Sequence, residues 1–134
     1  MVLPSRLRLL PLGLLVLGAP ACGSSQDEPV RDVAVQFSSA VAQHEGRVAC
    51  DLLAPDTRKE LEQSAQKPCA EALFDEDLPS VRESAQVSAF GTMAQVGAGS
   101  ETVFLTRFPD GWKVMAVGCT PGALERYDCQ VKGG

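Results

Sequence analysis

The stretch TVFLTRF (102–108), PDG (109–111) and WKVMAVGC (112–119) decides the fold class of this chain. The first and last of these segments are rich in β-branched and aromatic residues, which favour strands. Proline, aspartate and glycine in the middle segment are typical of a turn. The pattern therefore predicts a β-hairpin, with one strand on each side of the turn.

Further strands are predicted on both sides of this hairpin. Between residues 81 and 90, apolar and polar residues alternate with a period of two, which indicates a strand. Residues 92–98 are a second candidate, and Gly-Ala-Gly-Ser at 97–100 is a turn. Residues 127–131 are expected to form a short last strand. Together these segments predict an antiparallel sheet of four to five strands.

The part of the chain before residue 80 has helical periodicity instead. Its apolar stripe consists of Val30, Val33, Ala34, Phe37, Ala40 and Val41. This spacing predicts a helix, with Pro29 at its start and Gly46 past its end. A second short helix is expected around Cys50, and Pro55 and Pro68 each open another helical turn. Helices followed by antiparallel strands predict an α+β domain, with the N-terminal helices packed on one face of a curved sheet.

The first 21 residues differ from the rest of the chain. Arg6 and Arg8 are basic, and the run from 9 to 19 is apolar. This run is too short for a permanent membrane span, which needs about 20 apolar residues. With Ala-Pro-Ala at 19–21 it predicts a secretory signal peptide over residues 1–21. An uncleaved anchor or a wrongly assigned start codon is the alternative.

Cys22 follows the expected cleavage point directly, and a polar Gly-Ser-Ser-Gln leader comes after it. A small residue before a cysteine resembles the lipobox of bacterial lipoproteins, in which that cysteine receives a diacylglycerol and its amine is usually acylated. Ala19 and Pro20 depart from the best lipoboxes, which have leucine three residues before the cysteine. Ordinary signal peptidase, which also accepts this triplet, would instead release a soluble protein that begins at Cys22.

The composition restricts the class of protein. The 134 residues have a net charge of −5 and are 45% hydrophobic, which suits one domain. Loss of residues 1–21 removes two arginines and no carboxylate, so the net charge of the remaining 113 residues is −7. An acidic chain does not suit nucleic-acid binding or electrostatic adhesion to anionic lipid. We therefore expect a lipid-held polar tether at 22–29 and a single domain at 30–134, on the outer face of the cell membrane, or secreted without the lipid.

Four cysteines remain in the expected domain, and they allow three disulfide connectivities. The simplest pairing joins neighbours in sequence, Cys50 with Cys69 and Cys119 with Cys129. In the chain-entropy model each bridge would stabilise the fold by about 3 kcal/mol. A zinc site or a redox pair is the alternative, but these cysteines lack the close spacing that such sites use.

Several motifs together resemble a known family. They are ACDLLAP (49–55), the Pro-Cys pair at 68–69, GCTP (118–121) and YDC (127–129). With the order of helices and strands, they resemble small secreted lipoproteins of actinobacteria in the nuclear transport factor 2-like, or cystatin-like, superfamily. This resemblance implies a cone-shaped α+β fold. That fold hosts ketosteroid isomerase-like and polyketide cyclase-like enzymes, dehydratases and many members without catalysis, so it leaves function open.

Three residues are candidates for a ligand or catalytic site, each with a structural alternative. Asp51 could act as a base in a pocket, or be a carboxylate on the surface or at a helix cap. Trp112 could stack on a ligand, or be part of the core. Tyr127, with Asp128 beside it, could stand at a pocket mouth, or be ordered by its neighbour Cys129.

Other motifs give weaker evidence for a functional site. His44 is the only histidine and falls at a predicted helix end, and the acidic run at 75–77 lacks the spacing of a calcium loop. The sequence contains no glycine-rich phosphate loop, Gly-x-Ser-x-Gly or His-Glu-x-x-His motif. We therefore predict no cofactor, no metal and no nucleic-acid partner.

The function expected from these patterns is that of a cell-envelope lipoprotein whose domain binds a protein partner or a small ligand without chemistry. A cyclase-like or isomerase-like enzyme and a purely structural envelope protein are the alternatives. A deep cone with a buried carboxylate would favour the enzyme. A cone filled by Phe90, Phe104 and Trp112, with an apolar patch outside, would favour the partner.

Overall fold

The computed structural model describes residues 25–133 together with Gly13 and Gly18. The helices are α1 (Asp27–Ala42), α2 (Gly46–Asp51), α3 (Pro55–Ala65) and α4 (Cys69–Ala72), and a 3-10 turn at Leu73–Asp75 continues the last of them. The strands are β1 (Val87–Phe90), β2 (Met93–Ala98), β3 (Glu101–Phe108), β4 (Gly111–Pro121) and β5 (Tyr127–Lys132).

The strands form one antiparallel sheet in the order β1-β2-β3-β4-β5. The hairpin predicted around the Pro-Asp-Gly turn is present, with Phe108 paired to Gly111 across it. Helices precede strands along the described chain, so the α+β class is confirmed. The expected number of strands, four to five, also agrees with the sheet.

The strand predicted from residue 81 begins only at Val87. A turn interrupts the alternating segment, because the backbone N–H of Ala85 donates to the carbonyl oxygen of Arg82 at 2.9 Å. Pairing of Val87 with Val96 leaves few residues of β2 to face the segment before β1. Val81 is nevertheless buried, and its N–H donates to Ser38 Oγ at 2.9 Å. Burial in a loop therefore produced part of the strand-like pattern.

Helix α1 begins at Asp27, three residues before the expected start of the domain. Two acidic residues, Asp27 and Glu28, lie in its first turn, where they interact favourably with the helix dipole. Pro29 also lies in this turn, where its missing N–H costs no hydrogen bond. The last residues of the expected 22–29 tether are therefore helical.

The core lies between α1 and the sheet face that α1 covers, which we call the inner face. The predicted stripe of α1 contributes its buried residues Val30, Ala34, Phe37 and Ala40. The fully buried side chains of the inner face include Val96, Val103, Leu105 and Val114. The opposite side of the sheet is the outer face. Because side chains alternate between faces along a strand, Phe104 lies on the outer face, between Val103 and Leu105.

The link between α2 and α3 is joined to the edge of β4 beyond the end of β5. Leu53 forms a parallel bridge with Val114, whose N–H donates to Leu52 O and whose carbonyl accepts from Ala54 N, both at 2.8 Å. Nearby, the fully buried Thr57 donates its hydroxyl to Met115 O at 2.8 Å. These bonds connect the helical half of the chain to the sheet.

Helices α2 and α4 approach each other closely at Gly46. A Cβ atom at this position would lie 2.9 Å from both the Cβ and the carbonyl oxygen of Ala70. We expect Gly46→Ala to lower the free energy of unfolding by about 1–3 kcal/mol, because one helix must shift to admit the methyl group. Urea denaturation followed by circular dichroism measures this change.

Gly97→Ala is the matched control, because a Cβ atom there would lie 4.0 Å from its nearest neighbour, Gln86 O. We expect this variant to unfold at the same urea concentration as the parent chain. Equal stability of the two variants would contradict the close α2–α4 contact.

Candidate functional site

Both disulfides of the simplest pairing are present. Cys50 of α2 is bonded to Cys69 of α4, and both residues are buried. Cys119 of β4 is bonded to Cys129, which lies directly opposite on β5. One bridge therefore joins two helices and the other holds the last strand to its neighbour, as the sequence predicts.

Asp51 is exposed at the C-terminal end of α2. Its side chain is 77% exposed, and its Oδ1 lies 3.3 Å from Nη1 of Arg58. Arg58 also faces Glu62, with Nε 3.6 Å from Oε1. The carboxylate is thus a solvated member of a surface ion-pair cluster, as in the structural alternative for this residue. A base working inside a pocket would be enclosed by protein, and this carboxylate is not.

Trp112 belongs to the core. It is 6% exposed at the start of β4, on the inner face, and its indole N–H donates to Gln26 Oε1 at 3.2 Å. Its ring therefore packs inside the domain and is covered by protein, which is the structural alternative for this residue.

Tyr127 lies at the opposite end of β4, where it pairs with Pro121. It is 38% exposed, and its ring packs edge-on against Phe104 with 4.9 Å between the ring centres. Trp112 is the second residue of β4, whereas Tyr127 lies beside the last one. The structure therefore does not bring these two candidates together. Asp51 lies near the Trp112 end, where its carbonyl oxygen accepts from Lys113 Nζ at 2.9 Å.

The space between α1 and the sheet is filled, but not by the three residues considered from the sequence. Of these, Trp112 alone lies in the buried core. Phe90 is 72% exposed, and Phe104 is on the outer face. The period-two alternation explains the difference, since Ala89 faces the core opposite Ala94 and therefore turns Phe90 outwards.

The outer face carries exposed or half-buried apolar side chains at two places. Phe90 and Met93 lie at the β1–β2 turn, and Phe104 packs against Tyr127 towards the other end of the sheet. A signal for the second place exists in the Val-Phe-Leu run at 103–105. A strand with one solvated face would place a polar residue at the middle position, and a continuous apolar run indicates that both faces make contacts.

Three depressions in the described surface bear on ligand binding. A hollow of about 260 Å³ beside Pro55, Phe108 and Met115 lies on the outer side of β3 and β4. It is smaller than typical small-molecule sites, which occupy about 300–1,000 Å³. A larger open groove of about 780 Å³ follows α1, but charged side chains such as Asp32 and Glu83 line it. A third depression of about 450 Å³ lies between α3 and β5, and charged side chains such as Glu60 and Lys132 line it. None of the three combines size with a mainly apolar lining.

The remaining candidates, His44 and the acidic run, lie on the surface. His44 is exposed just after α1, with a φ of +56° and its ring 4.9 Å from that of Phe74. In the acidic run 75–77, Asp75 forms an ion pair with Lys67. The hydrogen bond and the negative charge of Asp75 raise the pKa of Lys67 above its ordinary value.

Residues 25–133 contain neither a metal-binding cluster nor a membrane-spanning helix. No three histidine, cysteine or carboxylate side chains in this part are grouped as a metal ion requires. No helix in it has the length and apolar character that crossing a membrane demands. The predicted signal peptide at 1–21 and the predicted lipidation site at Cys22 lie outside the described residues.

No protein-family model matches this chain, and no curated protein or solved structure is significantly similar to it.

The two disulfides differ in access. Cys50 and Cys69 are 2% and 1% exposed, whereas Cys129 is half-buried and lines the groove between α3 and β5. A thiolate must reach a sulfur atom to reduce a bridge. We expect dithiothreitol under native conditions to reduce the Cys119–Cys129 bridge first, as measured by alkylation and peptide mass mapping over time.

Urea below the unfolding transition serves as the control for this measurement. It should accelerate reduction of the Cys50–Cys69 bridge, which requires opening of the core, more than that of the other bridge. Reduction of both bridges at one common rate would contradict the difference in access.

Proposed function

We propose that this chain is a cell-envelope lipoprotein, with lipid on Cys22 holding a small disulfide-stabilised domain at the extracytoplasmic face of the membrane. The observation that carries the proposal is the pair of disulfides, since such bridges persist in oxidising compartments outside the cytosol. They use four of the five cysteines, and Cys22 is the fifth. The proposal thus accounts for every cysteine.

The same proposal divides the chain into a cleaved signal at 1–21, a tether and one domain. The start of α1 at Asp27 shortens the tether to residues 22–26. We further propose a cone-shaped fold of the nuclear transport factor 2-like superfamily and an actinobacterial source. Support for the fold comes from the order of helices followed by a five-stranded meander.

The domain is proposed to bind a protein partner without catalysis. The pair Phe104 and Tyr127 on the outer face favours this role, because contact surfaces for proteins are enriched in aromatic side chains. The apolar hollow beside Phe108 is small for an organic ligand, and charged side chains line the larger grooves along α1 and between α3 and β5, so a protein is the favoured partner. Exposure of Asp51 weighs against the cyclase-like or isomerase-like alternative, since this carboxylate was its best base.

Lipidation is tested by labelling cells with radioactive palmitate. We expect the parent chain to be labelled and to sediment with membranes, and Cys22→Ser to be unlabelled and recovered in the soluble fraction, because the acyl acceptor is gone. The double variant Cys50→Ser, Cys69→Ser keeps Cys22 and should keep the label on a denaturing gel. Absence of label on the parent chain would end the lipoprotein proposal.

Partner binding is tested by photocrosslinking in the native envelope. With p-benzoylphenylalanine in place of Tyr127, we expect one discrete light-dependent adduct with an envelope protein, because Tyr127 is exposed on the outer face next to Phe104. The same amino acid at Lys59, exposed on α3, is the control and should give none. No adduct from position 127 would favour the purely structural alternative.

A further inference from the structure

Two turns of the sheet meet at one end. The β1–β2 turn and the β3–β4 turn lie side by side, because the N–H of Arg107 donates to Thr92 O at 2.8 Å. Phe90 pairs with Met93 across the first turn, and Phe108 pairs with Gly111 across the second. We call residues 90–93 and 107–112 the anchor rim. The β2–β3 turn and the β4–β5 connection lie at the other end of the sheet.

The N-terminal part of the chain enters the domain at the anchor rim. The hydrogen bond from Trp112 Nε1 to Gln26 Oε1, 3.2 Å long, places the start of α1 beside the first residues of β4. Cys22 precedes Gln26 by four residues, which can span at most about 14 Å. A lipid on Cys22 would therefore hold the membrane surface close to this end of the sheet.

The anchor rim also exposes large apolar side chains. Phe90 is 72% exposed and Met93 is 41% exposed. Three strand spacings, about 15 Å, separate β1 from β4 within the sheet, and Gln26 lies over the inner face whereas Phe90 points from the outer face, so the distance between these two residues exceeds this figure. Both lie at the rim end of the sheet, so a flat surface laid against this end can meet Phe90 and the tether together.

We propose that the anchor rim lies against the lipid bilayer, with Phe90 inserted at the boundary between headgroups and acyl chains. Phenylalanine is among the side chains that bury at this boundary, and stable membrane attachment usually takes a second signal beside a single acyl chain. Two points of contact also restrict how the domain can rotate. The exposed charges of the rim, Arg107 and Asp110, are opposite in sign. Attachment of the rim therefore depends on apolar insertion and needs no anionic lipid. The proposal rests on the proposed lipidation of Cys22.

The orientation leaves most of the outer face accessible. Tyr127 lies at the far end of β4 from the anchor rim, next to Phe104. The far end also carries Leu124, which is 87% exposed in the β4–β5 connection. With the rim on the membrane, these residues point into the envelope space, where a protein partner can reach them.

The experiment compares two tryptophan probes in the full-length lipidated protein. Phe90→Trp places one at the rim, and the matched control Leu124→Trp places one at an equally exposed apolar site at the far end. Both are reconstituted in phosphatidylcholine vesicles with or without brominated acyl chains, and the emission of Trp112 in the parent chain is subtracted. We expect bromine to reduce the emission of the Phe90→Trp probe by about half and to leave that of the Leu124→Trp probe unchanged.

Each other outcome overturns the orientation. Quenching of both probes means that the domain has no fixed orientation on the membrane. Quenching of the probe at 124 alone means that the opposite end of the sheet faces the membrane. Quenching of neither probe means that the domain is held away from lipid. A blue shift at 90 that depends on protein density but not on bromine indicates a second copy of the chain as the occupant.

Intact mass of the same preparation separates this proposal from the lipidation proposal. If Cys22 carries no acyl group, a maleimide lipid attached to Cys22 permits the same quenching measurement. Hydrogen exchange of the unsubstituted chain on vesicles checks the result without a probe. Exchange of the amides at 90–92, 108, 110 and 111 should be slowed relative to the detergent-solubilised protein, and exchange of those at 122–126 should not.

Discussion

Strand β4 satisfies its backbone hydrogen bonds along both edges, and the rest of the structure depends on this requirement. Buried backbone groups must be paired, and β3 pairs one edge along most of the strand. On the other edge, β5 pairs the second half, and the link between α2 and α3 pairs Val114. The need for this last partner brings a segment from the helical half of the chain onto the sheet.

Each disulfide helps to hold one of the two segments that pair with this edge of β4. The Cys50–Cys69 bridge joins α2, which leads into the link beside β4, to α4, and Gly46 permits the close approach of these helices. The Cys119–Cys129 bridge holds β5, the last strand, on the remaining edge of β4. A domain of this size has a net stability of about 5–15 kcal/mol, so two bridges that each contribute about 3 kcal/mol are a large share of it.

The domain has two different apolar surfaces outside its core. The outer face around Phe104 and Tyr127 is proposed for a protein, and the anchor rim, with Phe90, is proposed for lipid. Both surfaces follow from one geometric fact. A sheet covered by helices on one face turns every second side chain towards the solvent, and this sheet carries aromatic residues at several of those positions. The candidate residues Asp51 and Trp112 instead make structural contacts, Asp51 with Arg58 on the surface and Trp112 with Gln26 in the domain.

The sequence by itself determined the α+β class, the central hairpin and the buried stripe of α1, because local periodicity and turn residues specify these features. It left three disulfide connectivities open, and the structure shows the simplest of them. Only the tertiary structure decided that β1 begins at Val87, that Phe90 faces outwards and that Gln26 meets Trp112. The reason is that each of these depends on partners distant in sequence. The extent of β1 depends on where β2 ends, and the direction of Phe90 depends on the register between these two strands. The point at which the chain enters the domain depends on the contact between Gln26 and Trp112, which are 86 positions apart in sequence.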